Sequence, residues 1–122
     1  MAEADARAAG VVVKIVSPHP NEVDCKRIER TLSQRSRYRY VSPEICPAEN
    51  GYRIKSPCCS RNVDKTGGVI DIALLEYDQV QQAWRLHRRD HKKRQWLLHG
   101  KYRSLTEALQ QLNRDPQRIF WP

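Results

Sequence analysis

The sequence lacks any apolar run long enough to cross a membrane as a helix. Its longest apolar stretch near the start, residues 10–16, is interrupted by Lys14 and falls far short of the roughly 20 residues that a span requires. Glu3 and Asp5 precede this stretch, where an export signal would carry positive charge. We therefore expect a cytoplasmic protein that has no membrane partner.

Cysteines spaced as metal ligands are also missing. The chain has four cysteines, at positions 25, 46, 58 and 59, and no two of them have the Cys-x2–4-Cys spacing of structural zinc sites. Cys58 and Cys59 are adjacent, and adjacent cysteines rarely form a disulfide without strain. Because the cytoplasm is reducing, we expect free thiols, no disulfide and no bound metal.

Signatures of cofactor-dependent enzymes are absent as well. The sequence contains no P-loop, no dinucleotide fingerprint, no Gly-x-Ser-x-Gly elbow and no His-Glu-x-x-His helix. It also lacks a GxxG loop, a zinc finger and an aromatic RNA-binding strand signature. We therefore expect no cofactor, and no recognised motif points to a nucleic acid.

What the chain does have is positive charge. Its 122 residues hold 22 Lys and Arg against 14 Asp and Glu, a formal net charge of +8. A surplus of this size favours anionic partners, which include nucleic acid, acidic proteins and lipid head groups. The length, with 39% hydrophobic and 30% charged residues, predicts one globular domain at residues 11–122 behind a flexible N-terminus at residues 1–10.

The first part of the domain is predicted to hold a short strand and a helix. Val11–Val16 is rich in β-branched residues and ends before Pro18, which is typical of an edge strand. A helix is then predicted from Asn21 to about Ser36, with an apolar stripe at helical spacing. The residues of that stripe are Cys25, Ile28 and Leu32. We therefore expect Cys25 to lie in the core and not at a metal.

The middle of the chain is predicted to form an antiparallel sheet. The segments with strand character are Tyr38–Cys46, Tyr52–Lys55, Val69–Tyr77, Trp84–Arg89 and Gln95–His99. Turns are predicted at Pro47–Gly51, where an Asn-Gly pair supplies positive φ angles, and at Asp90–Lys93. Because Val69–Tyr77 is mostly apolar, we expect a central strand that is buried on both faces.

The C-terminal helix carries the clearest local signal. Ser104 and Glu107 form a capping box, in which each side chain satisfies a free amide at the helix start. The helix has an apolar stripe of Leu105, Ala108, Leu109 and Leu112. Asp115-Pro116 ends it, and the apolar tail Ile119–Trp121 is expected to share a core with Trp84. The expected fold class is α+β: a single antiparallel sheet of about five strands, with an N-terminal and a C-terminal helix packed on one face.

Between residue 76 and its end, the chain carries a distinctive pattern. The pattern is Glu76-Tyr77, Trp84-Arg85-Leu86, Arg89-Asp90, Trp96, Ser104-Leu105, Asp115-Pro116 and Ile119-Phe120-Trp121. It resembles a bacterial family catalogued as domain of unknown function 3024. The resemblance implies a small stand-alone bacterial domain, and it carries over no catalytic residue because the family offers none.

Basic residues in the second half of the chain form the candidate binding site for a polyanion. Arg85, His87 and Arg89 alternate along one predicted strand and are expected to share one face of the sheet. The further candidates are Lys92, Lys93, Arg94, Lys101 and Arg103, with Trp96 and Tyr102 as stacking platforms for single-stranded bases. A second basic series comprises Arg27, Arg30, Arg35, Arg37 and Arg39. We therefore expect a non-enzymatic module that binds a polyanion such as nucleic acid.

The alternative hypothesis is an enzyme or a metal-binding protein with its site at the Cys58–Asp64 loop. The catalytic candidates are Cys59, Asp71, His87, Asp90 and His91. The metal ligands would be drawn from Cys46, Cys58, Cys59, His91 and His99, provided that the fold gathers them. For Asp71, which lies inside an apolar strand, we expect a structural role as the ion-pair partner of Arg53, Arg61 or Arg85.

Overall fold

In the part of the chain that the structure describes, five strands form a simple meander that is flanked by two helices. The computed structural model describes residues 18–35, 41–57 and 68–121. Its elements are α1 (Glu22–Leu32), β1 (Glu44–Ala48), β2 (Gly51–Pro57), β3 (Val69–Asp78), β4 (Ala83–Asp90), β5 (Gln95–Tyr102) and α2 (Leu105–Arg114). Each strand pairs antiparallel with the next, so the order across the sheet is β1-β2-β3-β4-β5. The helices contact each other, and α1 packs on β1 while α2 packs on β4 and β5. The predicted α+β class is confirmed.

Helix α1 begins where the sequence predicts and ends earlier. The Asn21 side chain caps it by accepting a hydrogen bond from the Asp24 amide at 2.8 Å. Ile28 and Leu32 are fully buried, and Cys25 is partly buried against the same core. The helix closes at Leu32 instead of running to residue 36. The predicted strand Val11–Val16 lies outside the described residues.

The hairpin of β1 and β2 has a tighter turn than predicted. Only Glu49 and Asn50 form the turn, with Asn50 at φ 59°. Pro47 remains in β1, which is an edge strand and therefore tolerates a residue that lacks an amide hydrogen. A Cβ at Gly51 would collide with the Leu75 carbonyl of β3, so glycine is required there. Strand β1 starts only at residue 44; residues 36–40 lie outside the described part of the chain.

Strand β3 is central, as predicted, but it is not buried on both faces. Ile72, Ala73 and Leu75 are buried, whereas Asp71 is only partly buried and Val69 is 59% exposed. Within the described residues, the two helices pack on one face of the sheet, and no described element covers the other face. The register between β2 and β3 shifts at Ile72, so this residue and Ala73 are both buried side by side. That bulge lengthens the apolar run without requiring a second covered face.

The end of the chain docks on the core, as its apolar composition predicts. Ser104 caps α2 by accepting a hydrogen bond from the Glu107 amide at 3.1 Å. The helix ends at Asp115, which has left-handed backbone geometry at φ 31°. The Asp115 carboxylate then accepts hydrogen bonds from the amides of residues 119, 120 and 121 at 2.7 to 3.2 Å. These bonds fold the tail back, so that Phe120 and Trp121 join Trp84 in one core.

Candidate functional site

The sheet face that the helices leave uncovered, here called the open face, carries most of the candidate residues. Antiparallel pairing places Arg53, Leu74, His87 and Leu98 in one row across β2 to β5, and it places Glu76, Arg85 and Lys101 in the next row. Trp84 and Leu86 alternate with these residues and are buried on the helix side. The predicted common face of Arg85, His87 and Arg89 therefore agrees with the strand register.

Asp71 is held by two arginines on the open face. Its carboxylate accepts two hydrogen bonds from Arg53, at 2.7 and 2.9 Å, and lies 3.7 Å from Arg89 Nε. Burial opposes ionisation, but the Arg53 hydrogen bonds and charge outweigh it and lower the pKa of Asp71. The predicted ion pair is therefore present with Arg53; Arg85 has other partners, and Arg61 lies outside the described residues.

The other two candidate residues of β4 are also engaged by carboxylates. Arg85 donates to Asp78 at 2.9 Å and lies 3.9 Å from Glu76. His87 Nε2 lies 2.7 Å from a Glu76 oxygen. A phosphate that approached Arg85 or His87 would compete with carboxylates already in place. The open face consequently carries acidic and basic side chains next to one another and is not a uniformly basic surface.

Unpaired positive charge is concentrated at the turn between β4 and β5. Lys92, Lys93 and Arg94, here called the basic turn, are all exposed and form no ion pair within the described ranges. The Asp90 carboxylate accepts from the Lys92 and Lys93 amides, at 3.1 Å each, which fixes the turn. Arg94 adopts φ 53°. The turn lies one residue later than predicted, because Asp90 still belongs to β4.

Beside the basic turn, an aromatic side chain lies on the open face. Arg89 places its guanidinium 5.1 Å from the ring centroid of Trp96, with which it is paired across β4 and β5. Two positions along β5, Leu98 is 52% exposed. Tyr102 does not belong to this surface: it is paired with Trp84 on the helix side and packs against the core. It therefore cannot serve as the predicted stacking platform without leaving the core.

The two remaining candidate binding residues, Lys101 and Arg103, lie at the end of the sheet opposite the basic turn. Lys101 is paired with Arg85 in the strand register, and Arg103 follows at the end of β5. Both are exposed. From Arg85 to Asp90 the strand extends about 17 Å. The predicted binding residues therefore form two groups, joined by the charged and apolar surface of β4 and β5.

Of the second basic series, Arg27 and Arg30 are exposed as predicted, but Arg35 is buried and cannot belong to a surface patch. Arg35 is only 2% exposed: it donates to the carbonyls of Leu32 and Val41 at 2.7 Å each and stacks on Trp121. Its long apolar stem and planar head allow burial where a lysine would fit less well. Arg27 is exposed and donates to Thr106 at 2.6 Å. Arg37 and Arg39 lie outside the described residues.

The loop proposed as an enzyme or metal site, residues 58–64, also lies outside the described residues, and with it Cys58 and Cys59. Elsewhere, within the described ranges, no three His, Cys, Asp or Glu side chains form a metal-binding group. Cys46 in β1 and His99 in β5 are separated by three strands, or about 19 Å. The structure therefore does not bring these two together.

The histidine candidates lie in separate surroundings. His99 packs edge-on against Phe120, with ring centroids 5.0 Å apart, whereas His87 contacts Glu76. His91 follows Asp90 at the end of β4. Burial, together with the nearby charge of Arg89, lowers the pKa of His91, although Asp71 and Asp90 oppose this. Of the catalytic candidates within the described residues, only Asp71, Asp90 and His91 therefore lie near one another.

An aromatic cluster around His19 is a feature that the sequence did not predict. The imidazole lies 4.5 Å from the Trp84 ring and 5.1 Å from Tyr77, measured between centroids, and its Nδ1 lies 2.9 Å from the Tyr52 hydroxyl. Burial lowers the pKa of His19, although the nearby Asp24 charge opposes this. Because these rings come from four distant positions, no local pattern in the sequence could have indicated the cluster.

Next to this cluster lies an open cleft of about 660 Å³. The turn between β1 and β2 and the turn between β3 and β4 form its walls. We call it the turn cleft. Its wall includes Asn50, Tyr77, Asp78, Gln79, Gln82 and Arg85. The Tyr77 amide donates to the Asn50 carbonyl at 2.8 Å and so joins the two turns. The turn cleft combines one aromatic ring, three carboxamides, one ion pair and the exposed side chain of Val80. Among its residues, Arg85 alone was predicted from the sequence to bind a ligand.

Comparison with known proteins identifies a family but no activity. A family model described as Domain of unknown function (DUF3024) matches residues 16–122. The match includes both helices and all five strands, and it thus extends far beyond the C-terminal pattern on which the resemblance rested. No curated protein and no solved structure matches the chain. No helix in the described ranges is long and apolar enough to span a membrane.

Proposed function

We propose that this chain, which belongs to the family described as Domain of unknown function (DUF3024), is a non-enzymatic module that binds a polyanion such as nucleic acid. The net charge of +8 supplies the long-range attraction for such a partner. Phosphate groups bound by lysine and arginine release counterions, which makes the binding favourable and sensitive to salt. Cations that are exposed and free of ion pairs are the best suited to make this contact.

The observation that carries the proposal is the exposure of the basic turn. Lys92, Lys93 and Arg94 are consecutive, and none of their side chains forms an ion pair with a described carboxylate. They can bind phosphates without breaking any ion pair. Arg85, in contrast, would have to leave Asp78, at 2.9 Å, before it could make a new charge-assisted contact. We therefore assign the main phosphate contacts to the basic turn.

The surface next to the basic turn suits the bases of a single strand. Trp96 and Leu98 form an apolar strip on the open face of β5, and Arg89 lies against the indole. Base stacking on an aromatic side chain or on a guanidinium is tolerant of sequence and contributes about 1–3 kcal/mol per base. Phosphates held at the basic turn would bring bases over this strip.

The test compares two variants with the same loss of charge. K92Q/K93Q/R94N removes the basic turn, and asparagine keeps a residue that tolerates the positive φ at position 94. The control K26Q/R30Q/R114Q removes three exposed cations of the helices, on the opposite side of the sheet. Binding of a fluorescent single-stranded RNA is followed by anisotropy over a range of potassium chloride concentrations.

The two variants are expected to differ in affinity and in salt dependence. Loss of three phosphate contacts should make the plot of log affinity against log salt shallower by about 2, with roughly tenfold weaker binding at low salt. The control should keep the wild-type slope. Equal effects of the two triple variants would mean that only net charge matters, and no binding even at ~50 mM salt would refute the proposed function.

A further inference from the structure

We propose that the turn cleft receives one unpaired base of a bound single-stranded nucleic acid. This inference rests on the proposed polyanion binding and adds to it a position at which the identity of a base matters. The basic turn lies at the other end of the sheet, so the two sites make separable contributions. One supplies affinity through phosphates, and the other supplies selectivity through a base.

The size and construction of the turn cleft fit a bound small group. Its volume of about 660 Å³ lies within the range of roughly 300–1,000 Å³ found for small-ligand sites. The hydrogen bond between the Tyr77 amide and the Asn50 carbonyl ties its two walls together. Behind it, the Tyr77 ring packs against His19 and Trp84, with centroids 5.1 Å apart in both cases. The wall that carries Tyr77 is therefore supported by the core.

The polar groups of the turn cleft match those of a nucleobase edge. Asn50, Gln79 and Gln82 each offer a carboxamide with one acceptor and one donor group. Such amides recognise adenine by paired hydrogen bonds.

The charge of the turn cleft favours an uncharged group over a phosphate. Asp78 accepts hydrogen bonds from Arg85 at 2.9 Å and from the amides of Val80 and Gln81 at 3.0 and 3.1 Å. Its carboxylate is thus fully engaged, and the Arg85 charge is cancelled. A neutral heterocycle can approach this pair without the repulsion that a phosphate would meet from Asp78. A phosphate can instead contact Lys101, the strand partner of Arg85, which is exposed and forms no ion pair with any described residue.

The distance between the two sites is short enough for one strand to reach both. About 17 Å of β4 separates Arg85 from Asp90, which lies two residues before the basic turn. Domains that bind single-stranded nucleic acid commonly contact four or more nucleotides. A segment of that length is long enough to reach from the turn cleft to the basic turn. A base in a duplex would first have to leave its stack at a cost of a few kcal/mol, so an unpaired strand is the favoured occupant.

A double glycine substitution tests the turn cleft without disturbing the core. Asn50 and Gln82 have φ angles of 59° and 49°, a region that glycine adopts freely. N50G/Q82G therefore removes two carboxamides at positions where the backbone accepts the change. The matched control Q81A/Q110A removes two exposed carboxamides that do not line the cleft. Binding is measured with short oligonucleotides that vary by one base or carry one abasic position.

Two results are expected if the turn cleft holds a base. Wild-type protein should prefer one base at one position by roughly tenfold, and N50G/Q82G should lose this preference while its salt dependence stays unchanged. The control should behave like the wild type. If the wild type binds all oligonucleotides equally and ignores the abasic position, the base site is refuted, while polyanion binding at the basic turn stands.

A second measurement separates the base site from polyanion binding altogether. The side-chain amide signals of Asn50, Gln79 and Gln82 are followed by NMR during titration with uncharged nucleosides to about 10 mM, which half-fills a site of 10 mM Kd. Movement of these signals supports the base site even if no oligonucleotide binds and the proposed function fails. A neutral oligosaccharide is titrated as the control. The base site would be overturned if nucleosides left the signals unmoved, or if only the oligosaccharide moved them.

Discussion

The guanidinium of Arg35 stacks on the indole of Trp121, 4.4 Å from the ring centroid, and both side chains are almost completely buried. Arg35 lies just beyond the end of α1, and Trp121 belongs to the tail that Asp115 folds back. The Trp121 indole also donates to the Leu112 carbonyl at 2.8 Å. Through this contact, the end of the first helix and the end of the chain stabilise each other.

Replacement of Arg35 by lysine is expected to destabilise the protein although the charge is kept. Lysine cannot donate to the carbonyls of Leu32 and Val41 from one planar group while stacking on the Trp121 indole. We expect R35K to lower the free energy of unfolding by about 1–3 kcal/mol, as measured by urea denaturation. The control R30K, at an exposed position of α1, should change it by less than ~0.5 kcal/mol. An R35K variant as stable as R30K would contradict a structural role for the stack.

The pH dependence of stability should reveal the partly buried imidazole of His19. Its pKa is lowered in the folded state, so below about pH 6.5 the unfolded chain binds a proton more readily than the folded one. His19 therefore contributes stability above its unfolded pKa, and this contribution is lost as pH falls through the lower folded value. Urea denaturation between about pH 7.5 and 5 should show a steeper loss for wild type than for H19Q.

His91 provides the control for this experiment, because burial lowers its pKa as well. H91N should remove a separate part of the pH dependence and leave the part due to His19. Identical pH profiles for wild type and H19Q would show that the cluster with Tyr52, Tyr77 and Trp84 does not depend on the charge of the imidazole.

Local signals in the sequence are sufficient to predict the order of the elements. Asn21 and Ser104 cap their helices through side-chain hydrogen bonds that depend only on residues three positions away. The buried stripe of α2 likewise repeats at helical spacing. Predictions fail where a distant contact decides the outcome. The sequence predicts a basic surface at Arg35 because the positive charge can be identified from the residue type. The stacking partner of Arg35, Trp121, lies 86 positions later, and no sequence pattern links the two residues.

The candidate site shows the same division between local and distant information. The alternation of β4 correctly places Arg85, His87 and Arg89 on one face. Their carboxylate partners lie on β3. No sequence pattern indicates which acidic residue of β3 lies opposite which basic residue of β4. Period-two alternation also misplaces Tyr102, because a bulge beside His99 shifts the register of β5. The turn cleft could not be predicted from the sequence, because it is formed by two hairpin turns that are distant along the chain.

The pair of Arg53 and Asp71 should prove structural when it is broken from either side. Arg53 is 42% exposed and Asp71 only 12%, so the arginine can return to solvent more easily than the carboxylate can. We expect D71N to cost more stability than R53Q, because Asp71 also lies 3.7 Å from Arg89. The double variant R53Q/D71N should give a coupling energy of about 0.5–1.5 kcal/mol, a modest value because the pair is partly solvated.

Acid sensitivity offers an independent measurement of the same pair. The folded pKa of Asp71 lies below its ordinary value of 3.8, so the carboxylate contributes stability above about pH 3.8 and loses it as pH falls through the folded pKa. R53Q removes the main cause of that lowering, and its stability should therefore depend less steeply on pH in the acidic range. The matched variant K55Q, which removes a weaker attraction from the same strand, should have a smaller effect. If R53Q and wild type lose stability in parallel below pH 3.8, Arg53 does not stabilise the ionised carboxylate, and the structural role argued for Asp71 is wrong.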